Sequence, residues 1–178
     1  MKKIQNADLN RLSVEEFKES EKNPIIVVLD NVRSMNNIGS VFRTCDAFRV
    51  DQLFLCGITA TPPHREIHKT ALGATDSVSW SHFDDTKKAV AFLKEKGYYI
   101  IAVEQTDKSI HLNDYVPDKT KKMALVFGNE INGIDDEVLA LCDFCVEIPQ
   151  FGTKHSINIS VSAGIILWDM VTKMVKIK

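Results

Sequence analysis

No apolar run in this chain approaches the roughly 20 residues a membrane-spanning helix requires, so no membrane partner is expected. Positive charge is not in excess: 22 Lys and Arg stand against 24 Asp and Glu, for a net charge of −2. A nucleic-acid partner would therefore have to be met by a local basic patch, because phosphate contacts supply most of such affinity. The opening Met1-Lys-Lys-Ile-Gln-Asn-Ala-Asp has no hydrophobic signal region behind its lysines, and a cytoplasmic location is the expectation. There are only four cysteines. Cys142 and Cys145 form a C-x-x-C without the second pair a zinc site needs, and Cys145 lies in the apolar run Phe144-Cys-Val-Glu-Ile148. Small buried residues on a strand account for them better than metal or redox chemistry. Internal repeats, low-complexity tracts and clear linkers are also missing. With 178 residues, 44% of them hydrophobic, one globular domain is the simplest expectation.

What is present is an alternation of short apolar runs with helical patterns. Residues 1–23 read as a polar leader in which Ser13-Val-Glu-Glu16 is a capping box; the domain proper is residues 24–178. Strands are expected at Ile25–Leu29, Gln52–Cys56, Ser77–Ser81, Tyr98–Val103, Met123–Phe127 and Phe144–Ile148. Helices are expected from about Ile38 to Phe48, at Arg65–Ala71, Asp84–Gly97 and Asp135–Leu141, and from Asn158 to about Val175. The stretch from Asp107 to Lys122 reads as mostly loop. Strand runs that are continuously apolar argue for an α/β fold, a parallel sheet covered on both faces. The last helix is apolar nearly all round, more than one contact face can use.

Three stretches carry chemistry. In Asn31-Val-Arg-Ser-Met-Asn-Asn-Ile-Gly-Ser-Val-Phe-Arg-Thr-Cys-Asp-Ala-Phe48, the residues Ile38, Val41, Phe42, Cys45 and Phe48 form one apolar helix face. Gly39 and Arg43 fall opposite, where a glycine one turn before an arginine would let a ligand come close to a guanidinium; a plain solvated arginine is the other reading. Leu125-Val-Phe-Gly-Asn-Glu-Ile-Asn-Gly-Ile134 is a strand running into a Gly-Asn-Glu-x-x-Gly loop. In parallel sheets, ligands bind beyond the carboxyl ends of strands, which puts Gly128 and Glu130 at that rim. Ile148-Pro-Gln-Phe-Gly-Thr-Lys-His-Ser-Ile-Asn-Ile-Ser-Val161 follows the last strand, with Ser156 and Asn158 placed to cap the final helix.

Together, in this order and spacing, they resemble the SpoU/TrmH branch of the SPOUT RNA methyltransferases, over roughly residues 25–170. Asn37-x-Gly39-x-x-x-Arg43-Thr-x-Asp-Ala47 is similar to that family's first motif, Phe127-Gly-Asn-Glu-x-x-Gly133 to its second and Ile148-Pro-x-x-Gly-x-x-x-Ser-x-Asn-x-Ser-Val161 to its third. Arg49, Met35 and Gln150 stand where the family more often has glycine, proline and an apolar residue.

The resemblance implies a SPOUT fold with a C-terminal deep trefoil knot, which general rules of chain connection argue against. It implies S-adenosylmethionine as methyl donor, held near Val103, Glu104, Gly128, Ile148, Ser156 and Ile157. It further implies methylation of an RNA ribose 2′-hydroxyl. Arg43 would stabilise the forming alkoxide, a role preferred over general base because a guanidinium stays charged. Ser156 and Asn158 would hold Arg43, Asn37 would position ribose or donor, and Glu130 would anchor the arginine or its loop. Phosphates would meet Arg33, Arg49, Arg65, Lys69 and Lys154, each read as lying near the ligand rim. The family forms homodimers through helices like the last one. Among RNAs, tRNA is favoured on the first motif and ribosomal RNA is the alternative, although the basic extensions of tRNA enzymes are reduced here to a mixed leader and the tail Lys173, Lys176 and Lys178. A catalytically silent RNA-binding homologue and a generic α/β ligand binder are the competing classes.

Overall fold

A computed structural model describes residues 1–174. Seven strands run parallel: β1 (Asn23–Asp30), β2 (Val50–Cys56), β3 (Trp80–Phe83), β4 (Tyr98–Val103), β5 (Ile110–His111), β6 (Lys122–Phe127) and β7 (Phe144–Glu147). Their order is β3-β2-β1-β6-β4-β7-β5, so the α/β parallel-sheet reading holds. Around them lie α1 (Val14–Glu19), α2 (Met35–Ala47), α3 (Arg65–Ala71), α4 (Ala74–Ser77), α5 (Thr86–Glu95), α6 (Asp136–Leu139) and α7 (Ile159–Met174), preceded by a 3₁₀ turn at Asn6–Leu9.

The central strands carry unbroken apolar runs because both faces of the sheet are covered there. On one face Ile25, Val27 and Leu29 pack with Ile38, Val41 and Phe42 of α2 and with Ala163, Ile166 and Leu167 of α7. On the other, Ile26 and Val28 meet Ala89, Val90 and Leu93 of α5 and Val138 of α6. Each fully buried aliphatic side chain of this kind contributes about 1.5–3 kcal/mol relative to exposure. Among the described residues no helix is long and apolar enough to cross a membrane.

Helix starts follow their caps. The Ser13–Glu16 capping box is present in both directions. The second helix begins at Met35, not near Ile38, because Ser34 Oγ accepts from the Asn37 backbone N–H at 3.3 Å and caps it first. Asn36 and Asn37 therefore sit in its opening turn. Gly39 is buried rather than ligand-facing: a Cβ there would lie 2.1 Å from Thr70 Oγ1 and 2.3 Å from the Ile67 carbonyl, so this glycine lets α2 and α3 cross closely.

Two other expectations shift. The strand expected over Ser77–Ser81 is the helix α4 followed by β3. The expected loop from Asp107 to Lys122 contains β5, two residues long and too short for any periodicity to show, paired with Val146 and Glu147. The last helix, α7, is apolar on both sides, as its sequence predicts: one side is core, while Val161, Ile165 and Trp168 are 51%, 36% and 57% exposed at i, i+4 and i+7. Val175, Lys176 and Lys178 lie outside the described residues.

Candidate active site

The segments that follow β4, β6 and β7 rise from the carboxyl edge of the sheet and enclose a cleft of about 480 Å³. All six donor-binding candidates, Val103, Glu104, Gly128, Ile148, Ser156 and Ile157, line it. So do Glu130 and Asn158. Parallel topology explains the convergence: every strand-to-helix segment leaves at the same edge.

The 128–134 loop folds back on itself. Asn129 and Gly133 exchange backbone hydrogen bonds of 3.0 and 3.1 Å, and Asn129 Oδ1 accepts from the N–H groups of Ile131 and Asn132 at 3.0 Å each. Gly133 has φ of +71°, in the left-handed region. A Cβ on Gly128 would lie 2.0 Å from the Gly133 carbonyl carbon and 2.2 Å from the Ile134 nitrogen. Gly128 is thus required by its own loop, whatever else lies against its backbone in the cleft. Glu104 Oε2 then accepts from the Ile134 N–H at 3.2 Å and ties this loop to β4.

Glu130 reaches across to the first stretch. Its carboxylate accepts from Asn37 Nδ2 at 2.9 Å and from the backbone N–H groups of Arg33 and Ser34 at 3.3 Å each. Partial burial would raise its pKa, but these donors together with its own backbone N–H outweigh burial and hold the carboxyl below the ordinary glutamate range. Asn158 Nδ2 donates to Asn37 Oδ1 at 3.2 Å, while Asn158 Oδ1 accepts from the N–H of Ser160 at 2.9 Å and helps open α7. A chain Glu130–Asn37–Asn158 therefore links all three stretches.

Arg43 stands apart. It is exposed on α2, outside the cleft lining, with no hydrogen bond or ion pair among the described residues. Neither Ser156 nor Asn158 makes a hydrogen bond to it; Asn158 reaches the helix that carries Arg43 through Asn37. Arg33, Arg65 and Lys154 are exposed on or beside strand-to-helix segments of the carboxyl edge, and Lys69 lies one turn into α3, 3.9 Å from Glu66. Arg49 does not belong with them. It connects α2 to β2 and its carbonyl accepts from the Asn23 N–H at 2.8 Å, which places it at the amino edge, the far end of the sheet.

Residues 24–168 match the SpoU rRNA Methylase family. The chain belongs to that family. A tRNA (guanosine(18)-2′-O)-methyltransferase of Thermus thermophilus is 31% identical to this SpoU protein, over 93% of this chain and 83% of its own length. A 23S rRNA (guanosine-2′-O-)-methyltransferase of Neisseria meningitidis is also 31% identical, over 91% of this chain and 64% of its own length. The fold is shared with the SpoU methyltransferase AviRb of Streptomyces viridochromogenes, a structure containing AdoMet: TM-score 0.78, 22% identity, 88% of this chain and 62% of that one.

Two features of this SpoU site carried little signal in the sequence. Gln105 donates from Nε2 to the His155 carbonyl at 3.0 Å, pinning the 148–158 segment to the end of β4; a lone glutamine after a strand looks like any surface residue. Asn129 organises the second loop through an Asx turn, and Asn-x-x-x-Gly spacing was the available hint.

Proposed function

We propose that this protein transfers the methyl group of S-adenosylmethionine to a ribose 2′-hydroxyl of RNA, with tRNA the favoured substrate. The observation that carries the reading is the cleft at the carboxyl edge of a SpoU fold, lined by the second and third stretches and tied to the first through the hydrogen bonds of Asn37 with Glu130 and Asn158. Its lining suits the donor. A volume of about 480 Å³ is within the range of small-molecule sites. Val103, Phe127, Ile148 and Ile157 offer apolar walls for an adenine ring, and Asn129, Ser156 and Asn158 offer polar groups. The carboxylates of Glu104, Glu130 and Glu147 give the cleft a negative field that favours a sulfonium cation. When bound, S-adenosylmethionine supplies an electrophilic methyl group.

The remaining work falls to the chain. Arg43, whose guanidinium has no partner among the described residues, orients ribose and phosphate and stabilises the alkoxide as the hydroxyl passes its proton to solvent water. Glu130 and Asn158, acting through Asn37, set the start of α2 and so the direction in which Arg43 projects two turns later. Arg33, Arg65, Lys69 and Lys154 meet phosphates. Residues 1–23 are a leader and 24–178 the methyltransferase domain, carrying the trefoil knot of its family. A homodimer forms through the exposed apolar stripe of α7, beside which Phe48 and Trp168 already stack edge to face. The protein acts in the cytoplasm, on the RNA found there.

Transfer of labelled methyl groups to purified tRNA and to ribosomal RNA tests the reading. Incorporation into tRNA at the ribose supports it. Incorporation into ribosomal RNA alone favours the second reading, for which the Neisseria relative speaks. Donor binding without transfer to either would leave a silent homologue. Light scattering at twice 20.0 kDa supports the dimer.

A further inference from the structure

Phe151 has no place in the donor site, yet it stands almost wholly in water. It is 98% exposed, more than any other large hydrophobic residue among the described residues except the terminal Met1. A phenyl ring in water forgoes the burial that core aromatics enjoy. Its segment is nonetheless held in place: Pro149 precedes it, and the Gln105–His155 hydrogen bond pins the far side. Gln150 and His155 to either side line the cleft while Phe151 does not, so the ring projects away from the donor.

The surroundings indicate what covers it. Residues 151–156, Phe-Gly-Thr-Lys-His-Ser, are all exposed. No acidic side chain occurs from Ile148 to Trp168. An isolated aromatic ring in a polar, basic segment suits a nucleobase beside a phosphate better than it suits a protein core. A second copy of the chain is better matched by the contiguous apolar stripe of α7.

We propose that Phe151 is a positioning residue that stacks on a base of the RNA next to the nucleotide being methylated, with Lys154 meeting the adjoining phosphate. The inference rests on the RNA methyltransferase reading above. Because every base has a π-face, the contact adds affinity without dictating sequence.

The test compares Phe151→Ala, Phe151→Leu and Phe151→Trp with the wild type on unmodified tRNA transcripts. It measures KM for RNA, kcat, donor affinity by calorimetry and oligomeric state by light scattering. Losing one aromatic–base stack is expected to raise KM for RNA roughly tenfold in the alanine variant. Leucine, apolar but without a π-face, should behave like alanine, and tryptophan should restore the wild-type value. Donor affinity and oligomeric state should stay unchanged in all three. A wild-type KM in the alanine variant, or rescue by leucine as good as by tryptophan, overturns the stacking role. Loss of the dimer would assign the ring to a second copy, and loss of donor affinity would assign it to the cleft; either overturns the proposal. A wild-type protein that neither binds nor methylates any RNA would overturn the functional reading itself, and this inference with it.

Discussion

Gly128→Ala tests the rigidity of the second loop at the wall of the cleft. The added methyl would sit 2.0 Å from the Gly133 carbonyl carbon, 2.2 Å from the Ile134 nitrogen and 2.4 Å from the Gly133 carbonyl oxygen. All three are backbone atoms, so no rotamer change relieves the overlap. The turn must open, and opening pulls on the Asn129–Gly133 pair and on the Glu104 bond to Ile134. Overpacking of this kind costs about 1–3 kcal/mol. For a chain of this size each kcal/mol lowers the melting temperature by about 2–4 °C, so a fall of roughly 2–12 °C is expected. Because Val103, Glu104 and Gly133 share the cleft with this loop, S-adenosylmethionine affinity should fall more than tenfold at a temperature where the variant is folded. Gly152→Ala is the matched control: nothing lies within 4 Å of the place its methyl group would take, and its melting temperature should move by no more than about a degree or two. Thermal unfolding and calorimetry measure both quantities. A Gly128→Ala protein with wild-type stability and donor affinity would show that the loop has slack, and the steric account of this glycine would fail.

Arg43→Ala should lower methyl transfer about a hundredfold to a thousandfold with donor affinity nearly intact, since Arg43 does not line the cleft; near-normal turnover would remove it from the mechanism. Glu130→Gln probes the tether between stretches. Folding holds the Glu130 carboxyl below its ordinary range, so its stabilisation is present at neutral pH and lost as pH falls through that lowered value. The stability gap between wild type and variant, at most about 1 kcal/mol for so exposed a group, should therefore close on acidification; a gap that widens in acid would reverse the assignment. Arg49→Gly should stabilise the fold slightly, because Arg49 has φ of +46°, where a side chain is strained, and RNA affinity should not change with the residue at the amino edge. A loss of RNA binding in that variant would return Arg49 to the interface.

The strands were legible because burial on both faces writes itself as unbroken apolar runs, as Ile25–Leu29 and Tyr98–Val103 show. The chemistry-bearing residues were legible as three motifs, and Asn37, Glu130 and Asn158 are bonded to one another as members of one site. Other features depended on partners distant in the chain. Gly39 looked like a ligand-facing glycine and is buried against α3, and only the neighbouring Gly133 backbone shows that Gly128, at the cleft wall, also serves close packing. Arg49 looked like one more rim cation until the direction of the sheet placed it at the opposite edge. The two residues of β5 are a strand only because β7 lies beside them. Sequence by itself determined which segments must be buried and which side chains can do chemistry, since both are properties of residue type and spacing. Tertiary structure decided which glycine is tight, which arginine lies at the far edge of the sheet and which aromatic ring is left in water, because those depend on what the fold brings within a few ångströms.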